Sequence, residues 1–75
     1  MFNNADLILE IADLITYNKR TKNIEVDKNI FDDFEEGKII YIRFAEDEEG
    51  IIREYEMVSE SRYGIVMEFM DEYEA

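Results

Sequence analysis

The sequence predicts an α+β fold in which an N-terminal helix packs on a small antiparallel sheet built around a central β-hairpin. Three observations carry this expectation. Residues 5–18, ADLILEIADLITYN, repeat apolar side chains at helical spacing. Residues 38–46 and 51–59 alternate along the chain and are rich in Ile, Val, Tyr and Phe. A Gly-containing acidic connection, DEEG at 47–50, separates those two runs.

In the predicted helix Leu7, Ile11, Leu14 and Ile15 share a face, with Ile8 and Ala12 beside it. Asn3 or Asn4 is placed to cap its start. Asp6 suits the positive end of the macrodipole, and Lys19 and Arg20 the negative end. The polar stretch NKRTKN ends the pattern, and NIEV (23–26) follows as a short strand. In DKNIFDDFEEG (27–37) Asp27 is a candidate N-cap, Ile30, Phe31 and Phe34 fall at i, i+1 and i+4, and Gly37 closes at C′. This gives a one- to two-turn helix, with an irregular loop as the alternative. The central hairpin spans about 38–59. Ile40, Ile42 and Phe44 alternate with Tyr41 and Arg43, and Ile52, Glu54, Glu56 and Val58 alternate with Ile51, Arg53, Tyr55 and Met57. RYGIVMEFMDEYEA (62–75) supports a C-terminal helix or strand. Tyr63, Val66, Met67, Met70 and Tyr73 trace a helical stripe, whereas Ile65, Met67 and Phe69 trace a strand face. Its Met and Glu content favours the helix.

With 75 residues and no visible linker or repeat, the chain reads as a single small acidic domain, 1–75. One core of this size is worth ~3–5 kcal/mol net. The apolar fraction of 47% is too high for a disordered chain. Cysteine, histidine and proline are absent, so no disulfide supports the core. No apolar run approaches the roughly 20 residues that cross a bilayer. The start, MFNNADLILEIADLI, carries acids where a secretory signal carries Lys or Arg. The expected location is therefore cytoplasmic, in the bacterial host cell if the chain is phage-encoded.

Charge is the dominant feature. Twenty acids face eight bases, a net charge of −12. Residues 1–26 hold four acids against three bases, net −1, and residues 27–75 hold sixteen against five, net −11. Such a field repels nucleic acid and anionic membranes, both of which require a basic surface. It selects a basic partner, and it weakens the compact state by self-repulsion.

The residue types also limit the chemistry. Nucleophilic catalysis by Ser most often needs a His base, and zinc or copper sites want His or Cys. The three glycines, Gly37, Gly50 and Gly64, stand alone, so there is no phosphate-binding loop. The acids run together like a surface instead of forming two carboxyls tuned apart, as glycoside hydrolysis requires. The expectation is a non-enzyme with no cofactor and no metal. A calcium-loop alignment places Asp47, Glu49, Gly50, Ile52 and Glu56 at loop positions, but Ala45 stands where the first ligand belongs and the flanks read as strands. A solvated hairpin turn is the better reading of that run.

The acids come in blocks: Asp32, Asp33, Glu35 and Glu36; Glu46, Asp47, Glu48 and Glu49; Glu54, Glu56 and Glu60; and Glu68, Asp71, Glu72 and Glu74. Few bases interrupt them. Phe31, Phe34, Tyr55, Phe69 and Tyr73 lie among them. Tyr suits an interface because it joins apolar area to a polar tip. An acid run is most often only a solvated face, and Phe31, Phe34 and Phe69 are most often core. The sharper reading is mimicry, with carboxylates standing where phosphates lie on a nucleic acid. The expected partner contacts are Asp32, Asp33, Glu35, Glu36, Glu46, Asp47, Glu48, Glu49, Glu54, Glu56, Asp71 and Glu72, with Tyr55 and Tyr73 as anchors.

Two stretches carry a resemblance. The start, N-x-x-DLI-x-EI (Asn3, Asp6, Leu7, Ile8, Glu10, Ile11), and IIREYEMVSES followed by IVMEFM (Ile51 to Met70) are similar to segments of small acidic type II-A anti-CRISPR proteins from phages. Together they cover about a third of the chain, and residues 18–37 do not match. The resemblance implies a helix-on-sheet inhibitor, with a helix after the Ser-Glu-Ser turn, that blocks the duplex-reading site of an RNA-guided nuclease.

The expected function is a non-enzymatic inhibitor that occludes the DNA or RNA site of a basic nucleic-acid-binding protein or nuclease, acting as a monomer or dimer. The rivals are an antitoxin or immunity-type plug for a basic toxin or nuclease, and a small acidic adaptor without mimicry.

Overall fold

The computed structural model describes residues 5–47 and 50–74. Six strands form one sheet: β1 (Leu7–Leu9), β2 (Leu14–Tyr17), β3 (Ile24–Asp27), β4 (Ile39–Phe44), β5 (Ile52–Glu60) and β6 (Gly64–Tyr73). Their spatial order is β1-β4-β5-β6-β3-β2. All pairings are antiparallel except β1 with β4, which is parallel. The sheet curls into a half-barrel, so Tyr17 on one edge strand reaches Phe44 near the other, with ring centroids 6.2 Å apart.

The predicted α+β architecture is overturned. Where the N-terminal helix was expected, residues 7–17 form strand, a single 3-10 turn (Ile11–Asp13) and strand. Leu7, Leu9, Leu14 and Tyr17 pack on or in the core, while Ile8, Ile11 and Ile15 are exposed. Asp13 fixes the turn, since its Oδ2 accepts from the Glu10 N–H at 2.8 Å. The expected caps Asn3 and Asn4 lie outside the described residues. The C-terminal segment is strand, not helix, so the helix implied after the Ser-Glu-Ser turn is replaced by β6. Tertiary pairing on both sides, with β5 and with β3, outweighs the modest helix propensity of Met and Glu there. The short helix at 27–37 is the irregular loop instead. Asp27 ends β3, its carbonyl accepts from Ile30 and Phe31, and its Oδ1 accepts from Asn29, which closes one turn.

The strand at 23–26 is present as β3, and the hairpin is present as β4 and β5. Its connection is longer than DEEG, running from residue 45 to 51. Alternation sets the two faces. Ile40, Ile42 and Phe44 of β4, Tyr55 and Met57 of β5, and Ile65 and Met67 of β6 line the closed interior with Ile24 and Val26 of β3. Phe31, Phe34 and Phe69 are partly buried and pack against this core.

Tyr55 is fully buried. Its hydroxyl donates to the Lys22 carbonyl at 2.8 Å, and its ring meets Phe69 edge-on at 5.8 Å. Burial pushes its phenol far above the usual tyrosine range, against a lowering by Arg53. Lys22 itself holds a left-handed φ of 65° at the end of the β2–β3 turn. Its ammonium reaches Glu72 at 2.9 Å and lies over the Phe69 ring.

Candidate functional site

The outer face of the sheet is read from the pairing register, because directly opposed residues point to the same side. On β5, Glu54 and Glu56 point outward between the inward Arg53, Tyr55 and Met57. Glu56 is opposite Glu68 of β6, and Glu54 is opposite Asp71, with a bulge between the two pairs. Four carboxylates thus form two like-charge pairs across neighbouring strands. Same-face residues two apart on a strand are about 6.8 Å apart, and opposed pairs about 5 Å. Two charges per ~6.8 Å of β5 is a linear charge density like that of one strand of a duplex, which carries one per ~3.4 Å.

No ion pair among the described residues reaches this ladder, and the one base on the same face of β4, Arg43, stands at its border. Among the described residues the ion pairs are Lys22 with Glu72, Lys28 with Glu60, and Arg53 with both Asp47 and Glu72. None reaches Glu54, Glu56, Glu68 or Asp71. Of the six bases that follow residue 20, Lys22, Lys28 and Arg53 are directed to acids beside the ladder. Like charges placed directly opposite destabilise a sheet, so the fold carries these pairs at a cost.

Tyrosines border the ladder on the β4 side. Tyr41 is opposite Glu54, and its ring lies 6.4 Å from that of Tyr73. The Tyr73 hydroxyl donates to Glu54 Oε1 at 2.6 Å. That hydrogen bond, with smaller contributions from desolvation and nearby carboxylates, pushes the Tyr73 phenol up to about 12. A tyrosine whose folded pKa is raised holds its proton longer in the fold. Its contribution is complete below pH ~10 and is lost as pH rises toward 12. Ultraviolet titration of Tyr73 should therefore show ionisation near 12, returning toward 10 in Glu54→Ala, and an unmoved midpoint would contradict the bond.

The loop block joins this face at one point. The Gly37 N–H donates to the Met57 carbonyl and the Met57 N–H to the Lys38 carbonyl, which seats residues 36–38 against β5. Glu36 and Glu56 consequently line one shallow depression with Gly37, Met57 and Val58. Asp32, Asp33 and Glu35 are exposed on the same loop, with Asp33 at a separate depression beside Asp6 and Lys38.

Other expected contacts lie elsewhere. Glu46 folds back so that its Oε1 accepts from the Ile11 N–H at 3.0 Å, and Asp47 faces Arg53 at 3.9 Å. Both line a cleft of about 350 Å³ with Ile11, Tyr17, Phe44, Ile51 and Arg53, whose guanidinium stacks on Phe44. Glu48 and Glu49 lie outside the described residues. Tyr55, expected as an interface anchor, is a core residue with no surface to offer, and this corrects its assignment. Glu72 is held by Lys22 and Arg53 instead of standing free.

Glu68, named within a charge block but not among the expected partner contacts, completes the ladder. Its signal was present in the alternation of Ile65, Met67 and Phe69, which puts Glu68 outward once the segment is a strand. The arrangement presents fixed negative charge and hydrogen-bond acceptors, suited to holding Lys and Arg side chains. Among the described residues no group of three or more acids is gathered closely enough to hold a metal ion. No helix among them is long and apolar enough to cross a membrane. No protein-family model, curated protein or solved structure gives a significant match to the chain.

Proposed function

We propose that the chain is a non-enzymatic inhibitor that binds a basic nucleic-acid-binding protein or nuclease and occludes its DNA or RNA site by charge mimicry. A phage anti-defence role, anti-CRISPR inhibition included, is the biological setting this reading implies. The observation that carries it is the ladder of Glu54, Glu56, Glu68 and Asp71, which no ion pair among the described residues reaches and whose charge density is like that of a nucleic-acid strand. A charge serving only solubility has no reason to be placed in opposed like pairs on paired strands, where it costs stability. Lys and Arg that normally contact phosphate would meet these carboxylates, and Tyr41 and Tyr73 would add apolar area at the border. Complementary charge would speed association and make it salt-sensitive.

The test is capture from a bacterial lysate on immobilised protein at low salt, followed by elution with duplex DNA. The expected result is one nucleic-acid-binding protein, released by DNA and by salt, and not captured by the Glu54→Gln, Glu56→Gln, Glu68→Gln, Asp71→Asn variant. A partner indifferent to DNA, or retained by that variant, would replace mimicry with an adaptor role.

A further inference from the structure

We propose that the free edge of β2 pairs with β2 of a second copy of this chain, forming a two-fold symmetric dimer. β2 is the last strand in the sheet order and pairs only with β3. Thr16 is opposite Glu25, and the Asn18 N–H donates to the Asn23 carbonyl at 3.0 Å. Alternation along an antiparallel pair then turns the N–H and C=O of Tyr17 away from β3, toward the open edge. An unpaired edge of this kind is a template for another strand. Two exposed isoleucines flank it, Ile11 at 49% and Ile15 at 42% exposure.

Charge selects the occupant. Most of the surface repels a second copy, because residues 27–75 carry a net charge of −11. The β2 edge lies in the nearly neutral segment, and its charges are ordered. Glu10 and Asp13 precede the strand, and Lys19 and Arg20 follow it. Glu46 adds to the acidic end through its hydrogen bond to the Ile11 N–H. Lys19 and Arg20 make no ion pair among the described residues. Antiparallel self-pairing centred on Thr16 lays the basic end of each copy on the acidic end of the other, with Asp13 across from the partner's Lys19. A two-fold interface requires one patch complementary to itself, and this acid–strand–base order provides it. A wholly basic strand would meet Lys19 and Arg20 with like charge, and a wholly acidic one would meet Glu10, Asp13 and Glu46. The short strand and the bulge between Leu14 and Thr16 confine pairing to a few residues, so the dimer is concentration-dependent and weakened by salt. The carboxylate ladder lies on β5 and β6 and is untouched, so this inference stands apart from the proposed function.

Sedimentation equilibrium of the full chain, from micromolar to millimolar concentration at low salt, tests it. The expected mass rises from 9.0 kDa toward twice that value. Lys19→Glu/Arg20→Glu and, separately, Ile15→Lys should remain at 9.0 kDa with an unchanged circular dichroism spectrum. Hydrogen exchange at the Tyr17 amide should slow with concentration in the unmodified chain only. A mass fixed at 9.0 kDa throughout, or a dimer that survives either variant, overturns the proposal.

Discussion

Gly64→Ala is expected to lower the unfolding free energy by about 2–3 kcal/mol, most of what a core of this size supplies. A Cβ at Gly64 would lie 2.6 Å from the Val26 carbonyl oxygen, 2.6 Å from Ile15 Cδ1 and 2.9 Å from Glu25 Cγ. The isoleucine tip can rotate, but the Val26 carbonyl belongs to the β3–β6 ladder and cannot retreat without breaking it. Gly64 is also tied at the turn. Its N–H donates to the Ser61 hydroxyl oxygen at 3.0 Å, and that hydroxyl donates to Glu25 Oε2 at 2.6 Å. Gly37→Ala is the matched control. Its φ of +82° is strained for alanine, yet the nearest atom to a Cβ there is Glu56 Oε2 at 3.9 Å. That change should cost about 1 kcal/mol from backbone conformation alone. Urea denaturation of both variants gives the comparison. A Gly64→Ala chain no less stable than Gly37→Ala would mean that β3 and β6 do not approach so closely.

The variant Glu54→Gln, Glu56→Gln, Glu68→Gln, Asp71→Asn should be more stable than the natural chain while losing its partner. Each opposed like pair costs on the order of 0.2–1 kcal/mol, so removing both should raise stability by roughly 0.5–2 kcal/mol. Its urea midpoint should rise, and its dependence on salt should shrink, because less repulsion is left to screen. Capture of the basic partner should fall below detection at moderate salt. Opposite movement of stability and binding is the signature of a surface kept for recognition. A variant that is less stable than the natural chain would show that these carboxylates support the fold.

The hairpin and the strand at 23–26 were legible because Ile40, Ile42 and Phe44, and then Ile24 and Val26, alternate without interruption. The N-terminus was misread for a definable reason. Leu7 and Leu9 face inward on one strand and Leu14 and Tyr17 on the next, and the 3-10 turn between them resets the phase. The exposed Ile11 of that turn falls between the inward Leu7 and Leu14, and residues 7, 11 and 14 together imitate a helical stripe. The C-terminus misled by the same mechanism. The bulge near Met70 breaks the alternation between Phe69 and Asp71, and the buried Met67, the exposed Met70 and the outward Tyr73 fall at helical spacing in the sequence without sharing a face.

The candidate face was half legible. Glu54, Glu56, Asp71 and Tyr73 were named from charge blocks alone. Their gathering required the β5–β6 register, and that was hidden while residues 62–75 read as helix. Glu46 and Asp47 looked equivalent to them in sequence. Only the curl of the sheet, which brings Ile11 and Arg53 to them, sets them apart.

The strand order has a kinetic consequence. The sheet sets Leu7 beside Ile42 and Ile24 beside Met67, so β1 and β3 find partners made much later in the chain. The β4–β5–β6 meander is local and can form first. The N-terminal third can then close on its two outer strands only after a long loop has been restrained. High contact order of this kind places folding in roughly the millisecond-to-second range, slow for so short a chain. During that interval the meander exposes the unpaired edges of β4 and β6, and the repulsion among its carboxylates keeps such half-built molecules apart.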